Sequence, residues 1–187
     1  VSKYHPKEKI IVAHFDHSLR GEESDGDREF VLDYCKREKI VAEFEKLDIT
    51  KLAEDEKMSI ENVARKYRYE FLYRIARKYS AQHILTAHHG DDRIETALFN
   101  LIRGTKLGGI HALSLKNGEI FRPLLELSKE EIQDYAEQNK IDFREDSTNT
   151  VTDYQRNYLR HEVLPKYEKI NPEYRRALTN FIDYTVN

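Results

Sequence analysis

The stretch Thr86-Ala-His-His-Gly-Asp-Asp-Arg-Ile-Glu-Thr96 lies between two apolar residues and a longer run with helical spacing. This order predicts a buried strand that ends in a polar turn and continues as a helix. In open α/β sheets, ligands bind at the carboxyl ends of strands, which is where these polar residues fall. A helix would place Asp91, Asp92 and Glu95 on one face. Carboxylates grouped in this way need a positive partner, which is a metal ion, a cationic substrate or an arginine from elsewhere in the chain.

The same acids have an alternative interpretation that needs no ligand. Acidic side chains in the first turn of a helix are favoured by the helix macrodipole. That effect explains one aspartate, but it leaves the second aspartate, Glu95, His88 and His89 unexplained. The stretch is therefore the strongest candidate site in the sequence.

Short apolar runs alternate with helical patterns over the first hundred residues. Strands are predicted over residues 9–14, 40–47 and 83–87, and helices over 30–39, from a Ser59 cap to Ala76, and over 90–103 with Gly104 as the stop signal. This alternation predicts an α/β fold, a Rossmann-like parallel sheet with flanking helices.

After Gly104 the chain reads as turns and helices. The predicted elements are an extended segment over residues 120–125, a helix opened by the capping box of Ser128 and Glu131, a polar turn over 146–149, and further helices broken near Pro165 and Pro172. We therefore expect an α/β domain over residues 1–125 and a helical extension over residues 126–187.

The composition excludes several classes of protein. The chain has 187 residues, of which 35% are charged, and a net charge of −3, so a nucleic-acid partner would need a local basic patch. No apolar run approaches the roughly 18 residues of a membrane span, and no signal peptide opens the chain. We expect a cytoplasmic protein with no membrane partner. Cys35 is the single cysteine, which excludes an internal disulfide and predicts a buried core residue.

A polar segment follows the first predicted strand, from His14 to Arg20. It has three interpretations: a metal site of His14, Asp16 and His17, a nucleotide site, or a hydrogen-bonded turn. Neighbouring side chains of a strand point to opposite faces, which disfavours the metal site.

Two basic segments also have alternative interpretations. Residues 64–72 mix arginines and aromatics, and they form either a solvated basic face beside a core stripe or a helix that directs Arg68 toward phosphate or carboxylate. Arg156 and Arg160 lie four residues apart on one helix face, which is either exposed or functional.

Together, these segments closely resemble the tRNA(Ile)-lysidine synthetase family of the N-type ATP pyrophosphatase (PP-loop) superfamily. The matching motifs occur in the family's order, and they are His14-x-Asp-His-x-Leu-Arg20, Ala64-Arg-x-x-Arg-Tyr-x-Phe-Leu72, Ala87-His-His-x-Asp-Asp-x-x-Glu-Thr96, Leu101-x-Arg-Gly104, Arg122-Pro-Leu-Leu125, Asp146-Ser-Thr-Asn149 and Arg156-Asn-x-x-Arg160. The resemblance covers about residues 14–172, and this many motifs in one order argue against coincidence.

The resemblance implies an adenine nucleotide alpha hydrolase-like fold and a ligase reaction. The family uses ATP and Mg²⁺ to adenylate the wobble cytidine of a tRNA(Ile) with a CAU anticodon, and L-lysine then displaces AMP to give lysidine. The implied partners are this tRNA and L-lysine, and a homodimer is also expected. The C-terminal helices would lead toward a tRNA-binding region.

The resemblance also implies roles for particular residues. The motif positions assign lysine binding to Asp92 and Glu95, catalytic roles to Arg68, His88 and Arg160, nucleotide binding to His14, Phe15, Asp16 and His17, and tRNA binding to Arg65, Arg103 and Arg156. No metal ligand is assigned.

The sequence departs from the family pattern in one respect. The family's SGGxDS phosphate loop is absent from the 187 residues. We expect the loop to lie upstream of Val1 in the full protein, and we expect the chain to be inactive by itself. Two other functions stay open: a tRNA-thiolating N-type ATP pyrophosphatase, which the lone Cys35 disfavours, and a non-catalytic tRNA-binding remnant.

Overall fold

The computed structural model describes residues 6, 9–111, 113–144 and 155–185, with the backbone alone at residues 155 and 156. The predicted polar turn over residues 146–149 lies outside the described residues. The chain forms two compact units, Val1–Ile84 and Leu85–Asn187, and each is described by itself below.

The first unit contains a β–α–β element. Strands β1 (Ile11–Asp16) and β2 (Val41–Lys46) are joined by helix α1 (Glu22–Glu38), and they pair in parallel from Ile11 opposite Val41 to Asp16 opposite Lys46. Parallel neighbours require a crossover of this kind, because a tight turn can only reverse the chain. The parallel pairing confirms the prediction for these two strands.

Two further helices complete the first unit. Helix α2 (Ile49–Glu56) and helix α3 (Ile60–Lys78) pack beside β1. As predicted, Ser59 caps α3, and its Oγ accepts a hydrogen bond from the Asn62 N–H at 3.4 Å. The buried side chains of this core are Phe15, Ile49, Ala53, Val63, Phe71 and Ile75.

The second unit begins at Leu85 and contains the stretch Thr86–Thr96. Strand β3 (Ile84–Leu85) lies at the boundary of the two units, and helix α4 (Gly90–Ile102) follows it. The chain then forms helix α5 (Leu107–Ile110), strands β4 (Lys116–Asn117) and β5 (Ile120–Phe121), and helices α6 (Lys129–Gln138), α7 (Gln155–Tyr158), α8 (Leu164–Ile170) and α9 (Tyr174–Tyr184). The strands form a sheet in the order β3-β5-β4, with an antiparallel β4–β5 pair.

The core of the second unit surrounds α4. Its buried residues come from α4, from α5 and from the C-terminal helices, and they are Ile94, Ala97, Leu98, Ile110, Leu159, Leu164, Tyr174 and Ile182. The C-terminal helices therefore share one core with the helix that carries the acidic cluster.

Several predicted elements need correction. Helix α1 begins at Glu22, where acidic first-turn residues suit the helix macrodipole, although the apolar spacing begins only near Phe30. Only Ile120–Phe121 of the predicted extended segment is a strand, and the following residues form turns. Helical backbone continues through Pro165 instead of breaking there. A π-helical turn, Leu159–Val163, lies just before it and accommodates the missing proline N–H.

Among the described residues, none of the helices has the length and apolar character needed to cross a membrane.

Candidate active site

Helix α4 begins at the polar turn that follows β3, as the sequence predicts. The His89 N–H donates a hydrogen bond to Asp92 Oδ2 at 3.0 Å, which caps the first turn. The Gly90 N–H donates to the Leu127 carbonyl at 2.7 Å, so the start of α4 is bound to the segment before α6. At the other end, Gly104 follows the helix with φ +76°, the left-handed conformation of a glycine stop signal.

Glu95 forms a largely buried ion pair with Arg160. Its side chain is only 4% exposed, and its carboxylate accepts two hydrogen bonds from Arg160, from Nε at 2.7 Å and from NH2 at 2.8 Å. This two-point contact is the preferred geometry between guanidinium and carboxylate. Burial raises the pKa of Glu95, against the opposing effect of Arg160, while the nearby Asp92 raises it further. An arginine is thus the positive partner of this acid.

Asp92 is less fully paired than Glu95. One oxygen, Oδ2, accepts the cap hydrogen bond, and Oδ1 lies 3.7 Å from Arg160 NH2, beyond hydrogen-bond distance. A carboxylate has about four acceptor positions, so Asp92 keeps capacity for a further donor. Among the side chains that the structure describes, Asp91, Asp92 and Glu95 contact Arg160 and Arg175.

Asp91 is held by two other segments of the second unit. Its Oδ1 accepts a hydrogen bond from Arg175 Nε at 2.9 Å, and its Oδ2 accepts one from the Lys129 N–H at 2.8 Å. Burial raises the pKa of Asp91, but these two hydrogen bonds outweigh it and lower the pKa overall. The carboxylate is therefore stabilised as an anion by the protein itself.

The two histidines of the turn differ in their contacts. His88 Nδ1 lies 2.9 Å from Thr86 Oγ1, within hydrogen-bond distance. His89 lies between the two aspartates, with Nδ1 3.7 Å from Asp91 Oδ2 and Nε2 3.5 Å from Asp92 Oδ2. Both imidazoles are half-buried, and His89 lies beside two carboxylates.

In the first unit, the predicted nucleotide segment lies at the carboxyl end of β1. Phe15 is buried against Phe71, with ring centroids 5.7 Å apart, and His14 stacks on Phe44. Asp16 is buried, and its Oδ1 accepts a hydrogen bond from the Ser18 N–H at 2.8 Å. The segment thus combines a hydrogen-bonded turn with an aromatic environment.

Burial lowers the pKa of His17 below its usual value, and the positive charge of Arg68 lowers it further. Burial also lowers the pKa of His14. Both imidazoles are therefore kept mainly neutral near pH 7, and a neutral imidazole both donates and accepts hydrogen bonds.

Arginines 65 and 68 flank one tyrosine on helix α3. The guanidinium carbons of Arg65 and Arg68 lie 4.9 Å and 5.6 Å from the centre of the Tyr69 ring. Arg68 is half-buried, whereas Arg65 is exposed. Both interpretations of this segment remain open, and a functional role of Arg68 stays a prediction.

The structure brings together some of the predicted site residues and separates others. In the second unit, Asp92, Glu95 and Arg160 form one cluster. Arg103 follows the last turn of α4, about 16 Å along the helix from Asp92, and it contacts the Phe99 ring. The side chain of Arg156 lies outside the described residues.

Two arginines of the second unit were not predicted as site residues. Arg175 reaches Asp91 from helix α9, 84 positions along the chain, and the local sequence carries no signal of this contact. Arg122 is only 1% exposed, and its NH1 donates to the Ser114 carbonyl at 2.8 Å. Its motif was noted in the sequence, but the burial of its charge was not predictable. In the described residues, no group of three histidine, cysteine or acidic side chains has the geometry of a metal site.

Comparison with known proteins defines the class to which this fold and site correspond. The PP-loop domain family matches residues 1–167, and the chain belongs to this family. A tRNA(Ile)-lysidine synthase from Thermosipho africanus is 40% identical over 177 residues, which are 95% of this chain and 41% of the relative. Relatives with the same name come from Bacillus cereus (40% identical, 92% of this chain and 37% of the relative) and Thermotoga maritima (38% identical, 96% and 43%).

The resemblance drawn from the motifs is thus confirmed, and so is the α/β fold class. The U34-tRNA thiolase NcsA from Methanococcus maripaludis has a similar fold, with a TM-score of 0.73 over 97% of this chain and 63% of that chain, at 17% identity. The chain spans about two fifths of the length of the curated relatives that it matches.

Proposed function

We propose that the protein containing this chain is a ligase that uses ATP to attach lysine to the wobble cytidine of a tRNA(Ile) with a CAU anticodon, giving lysidine. The proposal is supported by relatives of that name at about 40% identity across most of the chain. The structural observation that carries it is the acidic cluster of α4, in which Asp92 keeps an open acceptor beside the Glu95–Arg160 pair. Such a cluster suits a substrate with ammonium groups.

The proposed reaction has two steps. The O2 atom of the cytidine attacks the α-phosphate of ATP and releases pyrophosphate, which leaves an adenylated base. The lysine amine then attacks C2 of that base, AMP departs with the oxygen, and one proton is lost. In the first step, negative charge builds up on the departing pyrophosphate. Cations near the phosphates, such as Mg²⁺ bound to ATP, would stabilise this charge. The second step needs a neutral amine and therefore a proton acceptor.

We assign lysine binding to Asp92 and Glu95. Asp92 would accept a hydrogen bond from a lysine ammonium group, because the nearest described cation, Arg160 NH2, lies 3.7 Å from its Oδ1. Glu95 contributes negative charge and orients Arg160 through their two-point contact. Arg160, so oriented, would stabilise the negative charge that develops at the reacting centre. His88 is the proposed proton acceptor, since an imidazole titrates near neutral pH.

The remaining assignments concern the nucleotide and the tRNA. We propose that residues 14–17 hold the nucleotide at the end of β1, where ligands of α/β folds bind. Arg68, half-buried beside His17, is the proposed catalytic arginine of the first unit. Arg65, Arg103 and Arg156 are proposed phosphate contacts for the tRNA, and such contacts fix position rather than sequence. The homodimer and the cytoplasmic location also remain predictions.

Thiolation of tRNA is the alternative function, and the fold alone favours it equally. The solved NcsA structure contains an iron–sulfur cluster, and such clusters are held by cysteine thiolates. The 187 residues contain one cysteine, Cys35, which is buried. A single buried cysteine does not suit such a cluster, and the acidic cluster of α4 suits a lysine substrate. Both observations support lysidine formation over thiolation.

Exchange of Asp92 for Asn tests the proposed lysine site in the full protein. The change removes the negative charge but keeps the shape of the side chain. We expect the lysine KM to rise about tenfold or more, the typical effect of losing a hydrogen bond to a charged group, while the affinity for tRNA(Ile) stays unchanged. The measurement is ATP-dependent incorporation of labelled lysine into tRNA(Ile) at several lysine concentrations.

Exchange of Asp134 for Asn is the matched control, because Asp134 is an exposed aspartate on helix α6. It should leave the lysine KM unchanged. Equal lysine kinetics for wild-type protein and the Asp92→Asn variant would show that Asp92 does not bind lysine.

A further inference from the structure

The adjacent aspartates of α4 face different surroundings. Both oxygens of Asp91 accept short hydrogen bonds from the protein, at 2.9 Å from Arg175 and 2.8 Å from Lys129. Within the described part of the chain, Asp92 Oδ1 has Arg160 NH2 as its ion-pair partner, at the longer distance of 3.7 Å. The two aspartates, which look equivalent in the sequence, therefore differ in their contacts. Asp91 forms hydrogen bonds within the protein.

Asp91 joins three segments of the second unit. It belongs to the first turn of α4, it accepts the N–H of the first residue of α6, and it pairs with Arg175 on α9. The neighbouring Gly90 adds a fourth link through its hydrogen bond to the Leu127 carbonyl. Contacts with the segment at Leu127–Lys129 and with helix α9 therefore fix the start of α4.

A second ion pair links the same two helices. Arg93 of α4 pairs with Asp183 of α9, so the charges are reversed relative to the Asp91–Arg175 pair. Next to the two pairs in the chain, Tyr174 and Ile182 of α9 belong to the apolar core that contains Ile94. Opposite charge signs at the two ends permit one orientation of α9 on α4 and oppose the reversed one.

We propose that Asp91 and Arg175 are positioning residues, which fix the first turn of α4 so that Asp92 and Glu95 hold lysine, and that Asp91 does not itself contact the substrate. The inference rests on the proposed function and adds to it a residue of α9, which lies beyond residues 1–167 that the family matches. It also removes Asp91 from the set of acids available to a substrate.

The exposure of the two side chains indicates where the effect will be measured. The Asp91 side chain is 16% exposed and that of Arg175 is 48% exposed. An ion pair with one half-exposed partner contributes little to the free energy of unfolding. Small displacements of binding groups do change binding, so the loss should affect the lysine KM more than stability.

Exchange of Arg175 for Ala in the full protein tests the proposal. We expect the lysine KM, and the lysine Kd measured by calorimetry, to rise about threefold, as for the loss of one partly exposed charged pair, with the thermal transition nearly unchanged. Arg175→Lys should restore most of the affinity, because the positive charge remains. Arg176→Ala is the matched control, since Arg176 is 75% exposed and pairs with Glu173 at 3.2 Å on the surface of its own helix.

The possible results separate three roles of Asp91. If Asp91 bound lysine directly, loss of Arg175 would free its carboxylate, and a lower or unchanged lysine KM would overturn the proposal. If kcat of the Arg175→Ala variant fell in proportion to its folded fraction while the lysine KM stayed constant, the Asp91–Arg175 pair would have only a structural role. That result would also overturn the proposal. A wild-type protein that neither binds nor incorporates lysine would reject the proposed function and this inference with it.

Discussion

At the scale of single residues, two carboxylates of α4 have arginine partners, Glu95 with Arg160 and Asp91 with Arg175. The sequence shows Glu95 as an acid without an obvious partner, and the structure supplies Arg160, 65 positions away, at 2.7 Å. Breaking such a pair leaves a buried charge without compensation, which typically costs more than the pair contributes. Glu95 and Arg160 therefore form one ion-paired unit, and we propose that Asp92 beside it contacts the cationic substrate.

The electrostatic effect of Arg68 on His17 gives a prediction at this scale. Exchange of Arg68 for Gln removes a positive charge that lowers the pKa of His17. We expect the pKa of His17 to rise toward 6.5 without reaching it, because burial is the larger cause. NMR titration of the histidine Cε1 protons measures this shift.

Arg65→Gln is the control for that titration, since Arg65 is exposed and is not among the charges that shift His17. An unchanged His17 pKa in the Arg68→Gln variant would contradict the proximity of the two groups. Because the folded-state pKa lies below the unfolded value of 6.5, neutral His17 favours folding above pH 6.5. This contribution to stability is lost as the pH falls through the folded-state pKa.

The candidate site was only partly predictable from the sequence. Asp92 and Glu95 were visible because they lie three residues apart in a run with helical spacing. The contacts of Arg160 and Arg175 were not visible, because they join residues that are far apart in the chain, and local patterns carry no information on such pairs. The different tasks of Asp91 and Asp92 likewise depend on the tertiary contacts of each carboxylate.

At the scale of secondary-structure elements, the predictions succeeded where a cap or a stop signal was present. Ser59 and the Ser128–Glu131 capping box mark α3 and α6, and Gly104 follows α4. Short elements were missed. The eight residues of α2 and the two-residue strand β4 are too short to show a periodic pattern, whereas β5 lies within the segment that was predicted as extended.

Gly90 gives a prediction at the scale of the element, because the backbone comes close to α4 there. A Cβ at this position would lie 3.0 Å from the Leu127 carbonyl oxygen and 3.4 Å from that of Leu125. Exchange of Gly90 for Ala should push these segments apart and reduce the free energy of unfolding by about 1–3 kcal/mol, as overpacking typically does. It should also raise the lysine KM. Thermal unfolding and lysine kinetics measure the two effects.

Gly108→Ala is the matched control, because no atom lies within 4 Å of the Cβ position at this helical glycine. The control should change the free energy of unfolding by less than about 1 kcal/mol. Equal stability and equal lysine kinetics in both variants would contradict the role of the Gly90–Leu127 contact.

At the scale of the whole molecule, the chain divides into two compact units at Ile84–Leu85. The domains predicted from the sequence divide instead at residues 125–126, where strand–helix alternation ends, and this functional division stays a prediction. The two divisions differ because the C-terminal helices share a core with α4. Sequence patterns reveal the type of an element, but they do not reveal which elements share a core.

The central claim is that this chain belongs to a protein that makes lysidine. The most direct measurement is the mass of the wobble nucleoside of tRNA(Ile) with a CAU anticodon after incubation with the full protein, ATP and lysine. We expect the mass of the cytidine to increase by that of lysine minus one water, only when ATP and lysine are both present. An unmodified wobble cytidine in tRNA(Ile), or the gain of a sulfur atom instead of lysine, would contradict it.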